Sequence, residues 1–221
     1  MRHGLPHRNL RIAARAGLVL VVAALPLAAQ DPDPLAKLEP TTRYAVELLI
    51  DSAAMANLPT NPVRLTALQG IGRKASNKQI IEAVRKQLNY LRTAKEVLGP
   101  VDPEELTAGA SVLAAGAQPA QLAAFRARKK GRSDLQAFVY WTDFLQRGVP
   151  NEEASTAITK LWQDGADDDA FHSLWTNVRA DISQGLNPGT ALQNRIREAP
   201  GRPSPGTVKP PEGQQENQSS R

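Results

Sequence analysis

The chain has 221 residues, no cysteine, three histidines, and 27 lysines and arginines against 22 acidic residues. The missing cysteine excludes disulfide staples, thiolate metal sites and thiol catalysis. The charge excess shrinks once the first segment is set aside. Arg2, Arg8, Arg11 and Arg15 precede an apolar run over residues 16–29 with no acidic residue among them. That run is shorter than the roughly 20 residues a membrane span needs. A basic start, a short apolar stretch and small residues at its end fit a secretory signal peptide over 1–29, cleaved after Ala29. Retention as an anchor is the alternative, and it leaves the same domain outside the membrane. Without those four arginines the balance is 23 basic to 22 acidic residues, or +1. A near-neutral domain lacks the electrostatic footprint of a nucleic-acid binder.

The expected fold is all-α. It has eight to nine mostly short helices in an antiparallel array over residues 43–198, between a proline-rich lead-in (30–42) and a disordered Pro/Gly/Gln/Ser tail (199–221). The first helix begins near Tyr44, with Tyr44, Leu48, Leu49, Ala53 and Met55 along its inward stripe. "NLPTNP" breaks it. Asn61 and Pro62 then open a helix carrying Val63, Leu65, Leu68 and Ile71. Ser76 or Asn77 caps the longest element, whose seam runs Ile81, Val84, Leu88, Leu91, Leu98. Lys95 interrupts that seam, so it weakens toward Gly99-Pro100. The seam offers a surface for self-pairing but fixes no oligomeric state.

Asp102-Pro103-Glu104-Glu105 opens an Ala- and Gly-rich helix that neighbours can approach closely, its acids suiting the positive helix end. "GAQPAQLAAFRARKKGR" is a turn and a short helix. Ser133-Asp134 then starts a helix whose main face is Leu135, Phe138, Val139, Trp141 and Leu145. Breaks fall near residues 57, 74, 99, 116, 131, 148, 165 and 185. Five share a frame: Asn57-Leu58-Pro59, Lys74-Ala75-Ser76, Gly116-Ala117-Gln118, Gly148-Val149-Pro150 and Gly185-Leu186-Asn187. Each has a chain-reversing residue, a small or apolar residue, then a helix starter. This reads as degenerate helical repeats, or else as the caps any all-helical chain needs.

Candidate sites are few. His172 is the single histidine past the leader, and it sits at the edge of a stripe of Phe171, Leu174, Trp175 and Val178. One histidine without cysteine does not make a zinc site, and no cofactor is expected. "DGADDD" (164–169) fails the calcium-loop pattern and reads as a helix cap. Arg126, Arg128, Lys129, Lys130 and Arg132 form a basic run suited to a weak contact with anionic lipid or cell-wall polymer, or simply to a helix C-terminus. Seven of the ten aromatic residues lie between 138 and 175. Tyr140 and Phe144 are buried between neighbours or line an apolar groove.

The functional expectation is a non-catalytic, exported helical interaction module, periplasmic or extracellular, bound to an envelope protein. The alternative is a carrier of an apolar ligand or envelope lipid. A third reading is a carboxylate-using envelope glycan hydrolase, drawing on Glu104, Glu105, Glu152 and Glu153.

Overall fold

Helix ends set the architecture. The computed structural model describes residues 33–127 and 133–198. Across them run a 3₁₀ turn (Pro34–Lys37) and nine α-helices. These are α1 (Pro40–Met55), α2 (Asn61–Gly72), α3 (Asn77–Leu98), α4 (Pro103–Ala114), α5 (Pro119–Arg126), α6 (Leu135–Gln146), α7 (Asn151–Gln163), α8 (Asp168–Ser183) and α9 (Pro188–Glu198). No strand occurs among the described residues. Residues 1–32, 128–132 and 199–221 lie outside them, and with them the expected signal peptide, the expected tail and the candidate anionic contacts Arg128, Lys129, Lys130 and Arg132.

Six helices close in the same way. At the end of α6, Gly148 takes φ 83°, its N–H donates to the Leu145 carbonyl at 3.0 Å, and the Val149 N–H donates to the Phe144 carbonyl at 3.0 Å. Paired bonds of this kind satisfy the carbonyls that a helix end leaves free. The same pair closes α1 at Asn57 and Leu58, α2 at Lys74 and Ala75, and α4 at Gly116 and Ala117. It closes α7 at Gly165 and Ala166, and α8 at Gly185 and Leu186. All six turning residues have positive φ. Gly165-Ala166-Asp167 is a sixth instance of the frame, unnoticed in the sequence because its aspartates invited comparison with a metal loop. Asp167 instead caps α8, accepting the Ala170 N–H at 2.9 Å. Ser76 caps α3 in a reciprocal arrangement with Gln79, which satisfies two free donors at once.

Helix α3 packs against α1, α2, α4 and α5, and α6 against α4, α7 and α8. The buried seam of α3 is Ile80, Val84, Leu88, Leu91, Ala94 and Leu98. It begins one residue earlier than expected, and Ala94 fills the place assigned to Lys95, so the seam does not weaken. Because it is buried within the chain, it is not a self-pairing surface. Lys95 serves elsewhere: its Nζ donates to the Ala56 carbonyl at 2.7 Å, at the C-terminal end of α1.

The lead-in is also part of the core, since Leu35 is fully buried and Leu38 nearly so. Helix α1 keeps only part of the expected stripe: Ala53 is buried and Leu49 packs against the core. Thr42, Val46 and Ala53 face inward, while Tyr44, Leu48 and Met55 are exposed. On α2, Val63 and Ala67 are buried and Leu65 is exposed. Small inward residues let these helices lie close to α3, which leaves the larger side chains outside. Close approach is clearest on α4, where a Cβ on Gly109 would lie 2.5 Å from Leu98 Cδ1. On α6 the inward set is Ala137, Phe138, Trp141 and Phe144; Val139 is exposed. Trp175 on α8 is only partly buried, unlike Phe171, Leu174 and Val178.

Candidate functional site

Helix α1 presents residues 44, 48, 51 and 55 on one exposed line. These positions follow the four-three-four spacing by which one helix meets another. Tyr44 is 64% exposed, Leu48 49% and Met55 86%, with exposed Asp51 between them. Arg43 pairs with Glu47 at 3.6 Å beside this line. The helix is held from behind by α3, where Arg92 Nη2 donates to Ser52 Oγ at 2.9 Å and Lys95 engages the α1 end. Large apolar side chains on a braced helix form a surface with little freedom to fold inward.

The aromatic residues of α6 and α8 behave differently. Phe144 is fully buried, while Tyr140 is partly buried with its ring parallel to that of Phe171, centroids 6.0 Å apart. The structure therefore separates the two residues named as a groove: one is core and the other lies at the core's edge. The Tyr140 hydroxyl lies 3.4 Å from His172 Nδ1, and the exposed His172 ring lies 5.5 Å from that of Trp175. Trp175 Nε1 donates to Asp143 Oδ2 at 2.7 Å, and Arg179 stacks over the Trp175 ring at 4.2 Å. Asp143 also holds Arg147 through both carboxylate oxygens. Burial first, then the charges of Asp168 and Asp169, push the Tyr140 hydroxyl above its usual range. His172 meets a phenol and an indole ring here.

The basic run begins inside the protein. Arg126 Nη1 lies 3.2 Å from Glu105 Oε1 and 3.0 Å from Asp134 Oδ2, and Ser133 Oγ donates to Glu105 Oε2 at 3.1 Å. Glu105 and Asp134 are buried. This cluster ties α4 to both ends of the connection between α5 and α6. Arg126 is therefore an internal ion-pair partner, not a free anionic contact. A second pair, buried Asp181 with partly exposed Arg195 at 2.6 Å, joins α8 to α9. Its guanidinium bonds hold the Asp181 carboxyl below its usual range and raise Arg195.

No protein-family model, curated protein or solved structure matches the chain. The site must be read from its own geometry.

Among the described residues, no group of three or more His, Asp or Glu side chains is placed to hold a metal ion. Of the four glutamates considered for glycan cleavage, Glu105 is committed to Arg126 and Ser133, and Glu104 is exposed. Glu152 and Glu153 border a groove between α7 and α9. Sequence reasoning missed the α1 surface although it singled out its residues. Apolar residues at helical spacing ordinarily mark a core face, and α1 is apolar on more than one face. These ion pairs were missed because their partners lie 8, 14 and 21 residues apart on different helices or at a helix cap.

Proposed function

We propose that the chain is a non-catalytic interaction module that works outside the cytoplasm after export, built from degenerate repeats of one helix and one corner. The repeat reading draws support from the six helix ends closed by the same pair of backbone bonds. The interaction reading rests on one observation, the exposed line of Tyr44, Leu48 and Met55 on a helix braced from behind. Its spacing favours an amphipathic helix of an envelope protein. Exposed Asp51 within the line favours a basic residue on that partner. A single helix face buries less than the roughly 1,600 Å² of a standard interface, so the contact is of the weak, transient class. The carrier alternative draws less support from the residues it relied on. The rings of Phe125, Phe138, Trp141 and Trp162 pack on one another, and Gly109 lies against Leu98.

The test is photo-cross-linking from position 48 in envelope extract, followed by purification of the captured protein and direct binding to the wild-type chain and to Leu48→Lys. Binding that is lost in Leu48→Lys while the melting temperature is unchanged supports the module. Binding indifferent to Leu48→Lys removes the α1 surface from consideration.

A further inference from the structure

Helices α7 and α9 lie side by side and border a groove of about 330 Å³, at the small end of the roughly 300–1,000 Å³ of ligand pockets. Its floor is apolar, made by Ala157, Leu192 and Ile196. Glu153 lies beside Gly189 at the start of α9, so the N-terminal ends of both helices meet there. Lys160 and Arg197 stand in the last turns of the same helices, at the other end.

Each end carries one charge that the protein itself does not use. Glu153 does not cap α9, because Asn187 Oδ1 already accepts the Gly189 and Thr190 N–H groups at 3.0 and 3.2 Å. Glu153 Oε2 is buried with no hydrogen-bond partner, and a Cβ on Gly189 would come within 2.5 Å of it. A carboxylate so placed gains from a cation brought to it. At the other end Lys160 pairs with Asp164 at 2.7 Å, and Arg195 pairs with Asp181 and Glu198. Arg197 is exposed and makes no ion pair among the described residues. The helix dipoles account for the sign of the charge at each end, but a dipole gives neither side chain a hydrogen-bond partner.

From Glu153 to Lys160 along α7 is about 10 Å, and from Gly189 to Arg197 along α9 about 12 Å, at the α-helical rise. An extended tripeptide spans about 10 Å at the strand rise. Its ammonium then reaches Glu153 while its carboxylate reaches Arg197. Its first and third side chains fall on one side of the chain, over the apolar floor.

We propose that the α7–α9 groove binds a short apolar peptide with free termini, its ammonium on Glu153 and its carboxylate on Arg197. This rests on different residues from the α1 surface and stands or falls separately. The test is an NMR titration of the full chain with the tripeptide Leu-Ala-Leu, read at methyl groups. Saturable shifts are expected at Ala157, Leu192 and Ile196, with Leu48 unmoved. N-acetylation of the peptide should weaken binding to the wild type about tenfold or more, the effect of one hydrogen bond between charged groups. The same acetylation should cost nothing further in Glu153→Gln. C-amidation of the peptide should stand in the same relation to Arg197→Gln. Both variants should melt with the wild type, since neither side chain bonds within the protein. The absence of saturable shifts at millimolar peptide overturns the proposal. An acetylation penalty that persists undiminished in Glu153→Gln overturns it too, because the ammonium then sits elsewhere. So do groove shifts that appear on concentrating the chain without peptide, because a second copy then fills the groove.

Discussion

Helices α1–α3 and α4–α9 solve the packing problem in opposite ways. In the first group α1 and α2 bury small residues, as in Val46, Ala53, Val63 and Ala67, against the larger aliphatic seam of α3, and leave Tyr44, Leu48, Met55 and Leu65 outside. The second buries Phe125, Phe138, Trp141, Phe144, Trp162 and Phe171, together with the carboxylates Glu105, Asp134 and Asp181. Even the corners differ: α1 and α2 turn on Asn57 and Lys74, whereas α4, α6, α7 and α8 turn on glycine. Rings and ion pairs on buried carboxylates hold the later helices together, while the earlier ones leave large apolar residues exposed.

The strongest way to break this contrast is to delete a buried ring. Phe138 is fully buried, with its centroid 5.3 Å from that of Phe125. Phe138→Ala should lower unfolding free energy by about 3–5 kcal/mol, as large-to-small core changes do. Urea titration measures this directly, and a loss near zero would show that the aromatic cluster is not the structural centre.

Acid titration probes the buried charges. The Asp181 carboxyl is held below its ordinary value of 3.8 by the hydrogen bonds and charge of Arg195, against an opposing effect of burial. A depressed folded-state value means that the pair's contribution is present above the unfolded value. It is lost as pH falls through the lower, folded one. Asp181→Asn should therefore lower the melting temperature at neutral pH and flatten its fall in acid. Glu82→Gln, which removes the exposed pair with Lys86 on α3, should leave both nearly unchanged. Equal acid dependence in the two variants would erase the distinction between the groups of helices.

The corners allow a smaller test in the opposite direction. Lys74 holds φ 55°, a conformation in which a side chain meets its own backbone. Lys74→Gly gives α2 the corner that the later helices already have, and should raise stability by about 1 kcal/mol in thermal or urea unfolding.

Those corners were also the most legible part of the fold. A turning residue, an apolar residue and a helix starter follow from local backbone chemistry, so Gly116, Gly148 and Gly185 could be placed from sequence, and Asn57 and Lys74 with them. The α3 seam was nearly legible. Ile80 and Ile81 are adjacent and equivalent to a pattern, and only the neighbouring helices decide between them. The candidate site was harder. Nothing local tells Val46 from Leu48, because either would make a core stripe with its own partners. Arg126 reads as the first charge of a basic run until α4 brings Glu105 beneath it. Long-range placement, not residue type, decided each of these.

A surface-sized effect is the one that most directly tests the α1 reading. Val46 and Leu48 are two residues apart on one helix, and leucine is the larger. By side-chain size, Leu48→Ala should cost more than Val46→Ala. By position the order reverses: Val46 is fully buried and Leu48 is 49% exposed. Deleting the buried valine methyls should cost about 1–3 kcal/mol. The leucine change should stay near the roughly 0.5 kcal/mol typical of surface sites. If Leu48→Ala proved the costlier of the two in urea unfolding, Leu48 would be acting as core. The partner surface proposed on α1 would then lose its central residue.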